Sequence, residues 1–240
     1  MKVSVIIPAA GSGKRFGSEQ NKIFQRIKGQ PIFIRTLELF SGRDDVVQIQ
    51  LVASSQDLGE IRERFGGNLG FMGVTLSEGG PHRSDSVRNA LAKVVADADL
   101  VCVHDAVRPC VSSLWLDAVF SEAAKSGAAI LAYPVHGTLK KVSNGRTIDE
   151  TVDRADLWEA QTPQVFRRDV IMKAYSANSL ATDDAAMAEA IGQPVSVVMG
   201  DPRNIKITTP GDLALAEAVI GSLPKPKPRA GGNPFEEARW

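Results

Sequence analysis

Cysteine is nearly missing from this chain: its 240 residues carry two, Cys102 and Cys110, each in or beside an apolar run. Neither has metal-ligand spacing, and one pair cannot staple a secreted scaffold. A disulfide framework and a thiolate metal centre are therefore excluded, and reduced, buried thiols of a cytosolic protein are expected. A charge excess is missing too, since Lys plus Arg and Asp plus Glu number 28 each. Without a global field to recruit polyanions, neither nucleic acid nor an anionic membrane is expected as a partner, and any anion site has to be local. Nor is there a long apolar run near the start. Residues 3–7 form a short strand-like stretch that Pro8 ends, giving neither the apolar core of a signal peptide nor the length of a membrane span. The expectation is a cytoplasmic protein with no membrane contact.

What the chain has instead is alternation. Short β-rich apolar runs at residues 3–7, 46–53, 72–76, 100–104, 128–133 and 195–199 read as strands. Helical patterns lie between most of them, at 31–40, 56–65 (stopped by Gly66-Gly67), 85–95, 114–125 (stopped by Gly127) and 211–220. This predicts an α/β fold. Residues 100–104 and 128–133 are apolar at nearly every position, as a strand covered on both faces requires, so the sheet is expected to be mostly parallel with helices on both sides. One stretch, 135–161, is polar and breaks the pattern. Its Asn144-Gly145, flanked by Leu139-Lys140-Lys141-Val142 and Thr147-Ile148, predicts a β-hairpin projecting as an arm. The arm also carries apolar residues, among them Leu157 and Trp158, that a partner subunit would cover. A globular unit is expected over 1–222. Beyond it, 223–240 is a Pro/Lys-rich tail whose composition favours disorder.

The densest chemical signal follows the first strand. Ala9-Ala10-Gly11-Ser12-Gly13-Lys14-Arg15, with Lys22 shortly after, combines glycines that let backbone N–H groups close on an anion with cations that neutralise it. That pattern reads as a polyphosphate site and points to a nucleotide. A Walker loop is excluded, because Pro8 and Arg15 stand where it needs glycine and Ser or Thr. A dinucleotide fingerprint is also excluded, because Gly11, Gly13 and Gly17 are spaced G-x-G-x-x-x-G and no acidic residue closes the second strand. Asp105 ends the run at 100–104, which puts a hard carboxylate at the carboxyl edge of the sheet, where it suits Mg²⁺ or caps the following turn. Asp183 and Asp184 follow Thr182 and fit the first turn of a helix. His104, without a nucleophile or metal set beside it, reads as packing or a hydrogen-bond partner.

Further blocks recur in a fixed order. They are Gly79-Gly80 with Arg83-Ser84-Asp85-Ser86-Val87, His104-Asp105-Ala106-Val107-Arg108-Pro109, Thr138-Leu139-Lys140 and Asp153-Arg154. Gln161-Thr162-Pro163-Gln164, Thr182-Asp183-Asp184 and Asn204-Ile205-Lys206-Ile207-Thr208 complete the set. Together with the first loop, these blocks resemble the 2-C-methyl-D-erythritol 4-phosphate cytidylyltransferase family of the non-mevalonate isoprenoid pathway. The resemblance implies a Rossmann-like nucleotidyltransferase sheet and transfer of a cytidylyl group from CTP to 2-C-methyl-D-erythritol 4-phosphate with release of pyrophosphate, with Mg²⁺ as cofactor. It assigns Arg15, Lys22 and Lys206 to catalysis, with Lys206 on a short strand, and Asp105 to the metal. It gives nucleotide binding to Ala9, Ala10, Gly11, Gly13, Lys14, Gly80, Arg83, Asp85, Ser86 and Arg108. Thr138, Arg154, Thr162 and Thr208 would hold the sugar phosphate, with the arm reaching into the neighbouring subunit of a homodimer. Two positions depart from the family pattern: Asn21 stands where Pro is common before the lysine, and Gly137 where Asp precedes the threonine. Gly137 keeps a ribitol-5-phosphate cytidylyltransferase open as an alternative, and a CTP-binding regulator without turnover is the alternative from another class.

Overall fold

The computed structural model describes residues 1–11, 16–17, 21–177 and 181–226. The chain opens with β1 (Val3–Pro8), a 3-10 turn at Lys22–Phe24, the short strands β2 (Arg26–Ile27) and β3 (Gln30–Pro31), and α1 (Ile32–Glu38). It continues through β4 (Val46–Ala53), α2 (Ser55–Phe71), β5 (Val74–Glu78), α3 (Arg83–Leu91), β6 (Leu100–Val103), α4 (Ser113–Ser126) and β7 (Ala128–Pro134). Then come β8 (Leu139–Lys141), β9 (Glu150–Val152), β10 (Trp158–Arg167), α5 (Arg168–Ser176), α6 (Asp184–Glu189), β11 (Ser196–Met199) and α7 (Pro210–Val219).

Seven strands form one sheet in the order β11-β7-β10-β6-β1-β4-β5. All neighbours run parallel except β10, which is antiparallel to both β6 and β7. The alternating period of a strand explains why both faces had to be apolar. Val3, Val5 and Ile7 of β1 and Leu100 and Cys102 of β6 enter one core cluster, with Phe33, Ile61, Phe120 and Ala216 from α1, α2, α4 and α7. Ile6, Val101 and Val103 point the other way, into a second cluster with Val87, Ile171 and Met187 from α3, α5 and α6. Cys102 and Cys110 are free and buried, and burial pushes the Cys110 thiol up to about 11. Among the described residues, no helix is long and apolar enough to cross a membrane.

Strand order reverses beside β1, with β4 on one flank and β6 on the other. At such a switch point the loops after two neighbouring strands diverge to opposite faces and open a crevice at their carboxyl ends. The residues after Pro8 and Val103 therefore face one another across the mouth of a cleft.

Several expectations need correction. α2 does not stop at Gly66-Gly67 but runs to Phe71, because its buried face continues through Phe65 and Leu69. β10 was not foreseen: Pro163 inside it, with Gln161 and Gln164 on either side, breaks the apolar alternation that marks a strand. Residues 158–161, assigned above to the arm, belong to this strand, with Trp158, Glu159 and Ala160 paired to Pro134, Tyr133 and Ala132. The arm hairpin itself is present as β8 paired with β9, Leu139 opposite Val152. Asn144-Gly145 does not form a two-residue turn, however: Asn144 Oδ1 accepts from the N–H groups of Arg146 and Thr147 inside a longer loop. Lys206 lies in an irregular segment rather than a strand, anchored where Ile207 N–H donates to the Val107 carbonyl. At the expected boundary near 222, Leu223 still packs against the core and Ser112 Oγ donates to the Pro224 carbonyl at 2.6 Å.

Candidate active site

The cleft at the switch point has a volume of about 420 Å³. Its β1 side is formed by Pro8, Ala9, Ala10 and Gly11, its β6 side by Asp105, Ala106 and Val107, and Lys22 and Lys206 reach it from outside the sheet. The start of α3 contributes Gly80, Arg83 and Ser86. Here glycine is required by space. A Cβ on Gly80 would stand 2.4 Å from Asp85 Cβ, and one on Gly79 would stand 2.6 Å from Ser86 Oγ and 2.8 Å from Ala10 Cβ. The turn thus presents bare backbone, and the Gly80 N–H donates to Ser86 Oγ at 3.1 Å.

Asp105 is the electrostatic centre. It is buried, with Lys206 Nζ 2.7 Å from Oδ2, Arg83 Nε 3.3 Å from Oδ1 and Arg108 Nε 3.7 Å from Oδ2. Burial raises its pKa, but the charges of Arg83, Lys206 and Arg108 outweigh that and hold the carboxyl well below the usual range. Arg83 is in turn clamped by Asp184, which is fully buried and accepts from Arg83 Nη2 at 2.7 Å and from the Tyr175 hydroxyl. Burial lowers the Arg83 pKa, yet Asp184 and Asp105 reverse that and raise it. Arg108 donates to the Asn204 carbonyl at 2.6 Å, and burial lowers its pKa despite Asp105. Asn204 Nδ2 donates to the Thr162 carbonyl at 2.9 Å, and the Thr36 hydroxyl donates to the Ala106 carbonyl at 2.9 Å.

Ala9, Ala10, Gly11, Lys22, Gly80, Arg83, Ser86, Asp105 and Lys206 are therefore brought together. Gly13, Lys14 and Arg15 lie outside the described residues. Asp85 does not line this cleft: its carboxylate caps α3 by accepting from His82 N–H and pairs with Arg88 at 2.7 Å. Arg108 stands behind Asp105, nearly buried. The Thr162 hydroxyl is engaged internally with His104 and the Asp105 N–H, and the Thr208 hydroxyl donates to Asp212 at 2.7 Å where α7 begins. Thr138 and Arg154 are exposed at the arm, where Arg154 donates to the His136 carbonyl. Asp183 caps α6, its Oδ1 accepting from Ala186 N–H at 3.0 Å, but Asp184 does more than cap, as its ion pair with Arg83 shows. Sequence reading missed Asp184, Tyr175 and Asn204 as site-forming groups, whereas His104 is the packed hydrogen-bond partner it was read to be. The signal available for Asp184 was a second acid beside an N-cap that needs only one.

Among the described residues, no cluster of three or more His, Cys, Asp or Glu could hold a metal by itself. The site's chemistry is instead a ring of cations around one ionised carboxylate, facing bare backbone. Such an arrangement accommodates several anionic groups at once.

The sequence profile of the IspD family, described as 2-C-methyl-D-erythritol 4-phosphate cytidylyltransferase, matches residues 3–222. A protein of that name from Rhodopirellula baltica is 45% identical over 231 residues, covering 91% of this chain and 94% of its own. Another from Bacillus licheniformis is 38% identical, with 92% and 96% covered. Among solved structures, the enzyme of that name from Thermus thermophilus superposes with a TM-score of 0.77 at 33% identity, covering 92% of this chain and all of its own. That from Francisella tularensis gives 0.76 at 31%, covering 91% and 99%. With the motifs in order, the cleft at the switch point and matches that span nearly the whole chain, the protein belongs to the 2-C-methyl-D-erythritol 4-phosphate cytidylyltransferase family.

Proposed function

We propose that this protein catalyses the reaction its family is named for, in which a phosphate oxygen of 2-C-methyl-D-erythritol 4-phosphate attacks the α-phosphorus of CTP. One P–O bond forms, the bond to the β-phosphate bridge breaks, and pyrophosphate leaves with the electron pair. The observation that carries this reading is the convergence of Lys22, Lys206 and Arg83 on one cleft with Asp105 at its floor. Nucleophile, α-phosphate and leaving group are all anionic, so the chief task is to place cations where transition-state charge concentrates. Lys22 and Lys206 take the α-phosphate, and Arg15 and Lys14 take the leaving end with the backbone of Gly11 and Gly13. Gly80 and Ser86 face the base, where bare backbone admits a flat pyrimidine closely.

Mg²⁺ belongs to this proposal. Asp105 is the only carboxylate lining the cleft among the described residues, and it is held ionised, which suits a hard cation that takes one or two protein oxygens and fills its shell with phosphate and water. When bound, the metal offsets phosphate charge. Lys206 and Arg83 already share this carboxylate, so the same group both orients the lysine and offers an oxygen. The arm supplies the remaining residues: Thr138 and Arg154, exposed on one chain, are proposed to close the sugar-phosphate end of a neighbouring subunit's site in a homodimer. Arg154 suits that role because its planar guanidinium grips a phosphate by two parallel bonds.

The test is pyrophosphate release from the purified protein with Mg²⁺ and CTP, offered 2-C-methyl-D-erythritol 4-phosphate or ribitol 5-phosphate in parallel. Turnover confined to the first is expected. Preference for ribitol 5-phosphate moves the substrate assignment to that polyol, and silence with both despite CTP binding overturns the enzymatic reading.

A further inference from the structure

The turn at 104–108 carries Asp105, and the reaction above leaves one of its buried polar groups unused. His104 is fully buried, with its ring edge-on to Phe40 at 5.4 Å between centroids. Both ring nitrogens are engaged: Nε2 lies 2.9 Å from the Arg108 carbonyl oxygen and Nδ1 3.0 Å from Thr162 Oγ1. A carbonyl can only accept, so Nε2 carries the hydrogen, Nδ1 is the acceptor, and the Thr162 hydroxyl donates to it. With its hydrogen spent there, the Thr162 oxygen accepts from the Asp105 N–H at 3.1 Å. A directional chain therefore runs from the Asp105 main chain through Thr162 and His104 to the Arg108 carbonyl. The Arg108 N–H closes it by donating to the Asp105 carbonyl at 3.0 Å.

Resting on the reading of the site given above, we propose that His104 is a positioning residue for cytidylyl transfer. Its neutral imidazole orients the Thr162 hydroxyl, which fixes the Asp105 main chain and with it the Asp105–Lys206 pair. An apolar side chain of similar volume would fill the space but leave the Thr162 hydrogen without its acceptor and the Arg108 carbonyl without its donor. The freed hydroxyl then turns, and the Asp105 turn loses one of its two ties. The two nitrogens are separable by substitution. Asn places its Oδ1 near the position of Nδ1, whereas Gln reaches towards the position of Nε2 and offers nothing at Nδ1.

The experiment measures kcat, KM for both substrates and melting temperature for the full chain. Absence of turnover in the unsubstituted protein overturns the functional reading whatever His104 does. Given turnover, His104→Asn is expected to keep kcat within about threefold, while His104→Gln and His104→Leu lose about tenfold or more with KM for CTP unchanged. Thr162→Val is expected to lose a similar factor, and the double variant H104L/T162V no more than either alone, because a relay is broken only once. Unchanged kcat in a folded His104→Leu variant, equal losses in His104→Asn and His104→Leu, or multiplicative losses in the double variant overturn the proposal. If His104→Leu does not fold, the comparison of Asn with Gln decides.

Discussion

Lys206 reaches Asp105 at 2.7 Å from a segment with no ladder of its own, and its side chain remains 40% exposed. Its loss should thus cost the fold little and the reaction much. For Lys206→Met we expect kcat to fall by about 10²–10³-fold, as when one preorganised donor at a developing charge is removed. The melting temperature should stay within a few degrees. Pyrophosphate release and thermal unfolding on one preparation check this; a variant with native turnover would remove Lys206 from the catalytic set. At this scale the sequence was most legible in placing at the cleft the charged side chains that stand beside glycine turns, as Lys22 and Arg83 do beside Gly11 and Gly80. It was least legible where a residue acts through a partner brought from far along the chain. Asp184 meets Arg83 across 101 residues and His104 meets Thr162 across 58, and no local spacing encodes either contact.

Strands and helices were read from period and punctuation, which worked where burial on both faces made the pattern emphatic, as in β1, β6 and β7. α4 was delimited well because its two ends are chemically marked: Ser112 accepts from Leu114 N–H, and Gly127 ends it at φ 92° in the left-handed region. β10 failed because its buried polar residues serve the site rather than the ladder. Gln164 ties α6 through Asp183 and Ala185, and Gln161 reaches the Asp201 carbonyl at 2.8 Å. α2 shows the opposite error, where tertiary packing carries a helix through glycines that would end it in isolation. This yields a prediction. Gly66 and Gly67 lie inside α2 without a left-handed φ, and a Cβ on either meets nothing within 4 Å. Gly66→Ala and Gly67→Ala should each raise stability by about 0.5–1 kcal/mol and leave turnover unchanged. Urea midpoints lower than the parent's would show that the helix needs its glycines.

For the whole molecule, acid stability follows from a group buried in the interior. Burial pushes His104 down from 6.5 to about 4, so between those values the unfolded chain binds a proton that the folded chain refuses. The stabilisation is complete above about pH 6.5 and is lost as pH falls towards 4, by about 3 kcal/mol in all. Asp105, held below the usual carboxylate range, adds its own loss only at lower pH still. Urea midpoints measured from pH 7.5 down to 4.5 should show this slope, and a folded His104→Leu protein should lack it. The proposed homodimer would assemble through the arm. Val142, Ile148 and Leu157 of the arm are 42%, 57% and 39% exposed, and Trp158, at the start of β10, is 43% exposed, apolar surface that a second copy is proposed to cover. A second copy covering it would place Arg154 and Thr138 at another subunit's cleft, and a two-fold interface makes both sites composite. Light scattering should then report a dimer. Arg154→Ala and Lys206→Met homodimers should each be nearly inactive, because every site lacks one group. In dimers co-expressed from the two genes, a mixed pair joins one subunit's intact Lys206 to the other's intact Arg154, so one site of its two is whole. About a quarter of the parental activity should return. No recovery in a mixed dimer of verified composition would mean that each subunit completes its own site.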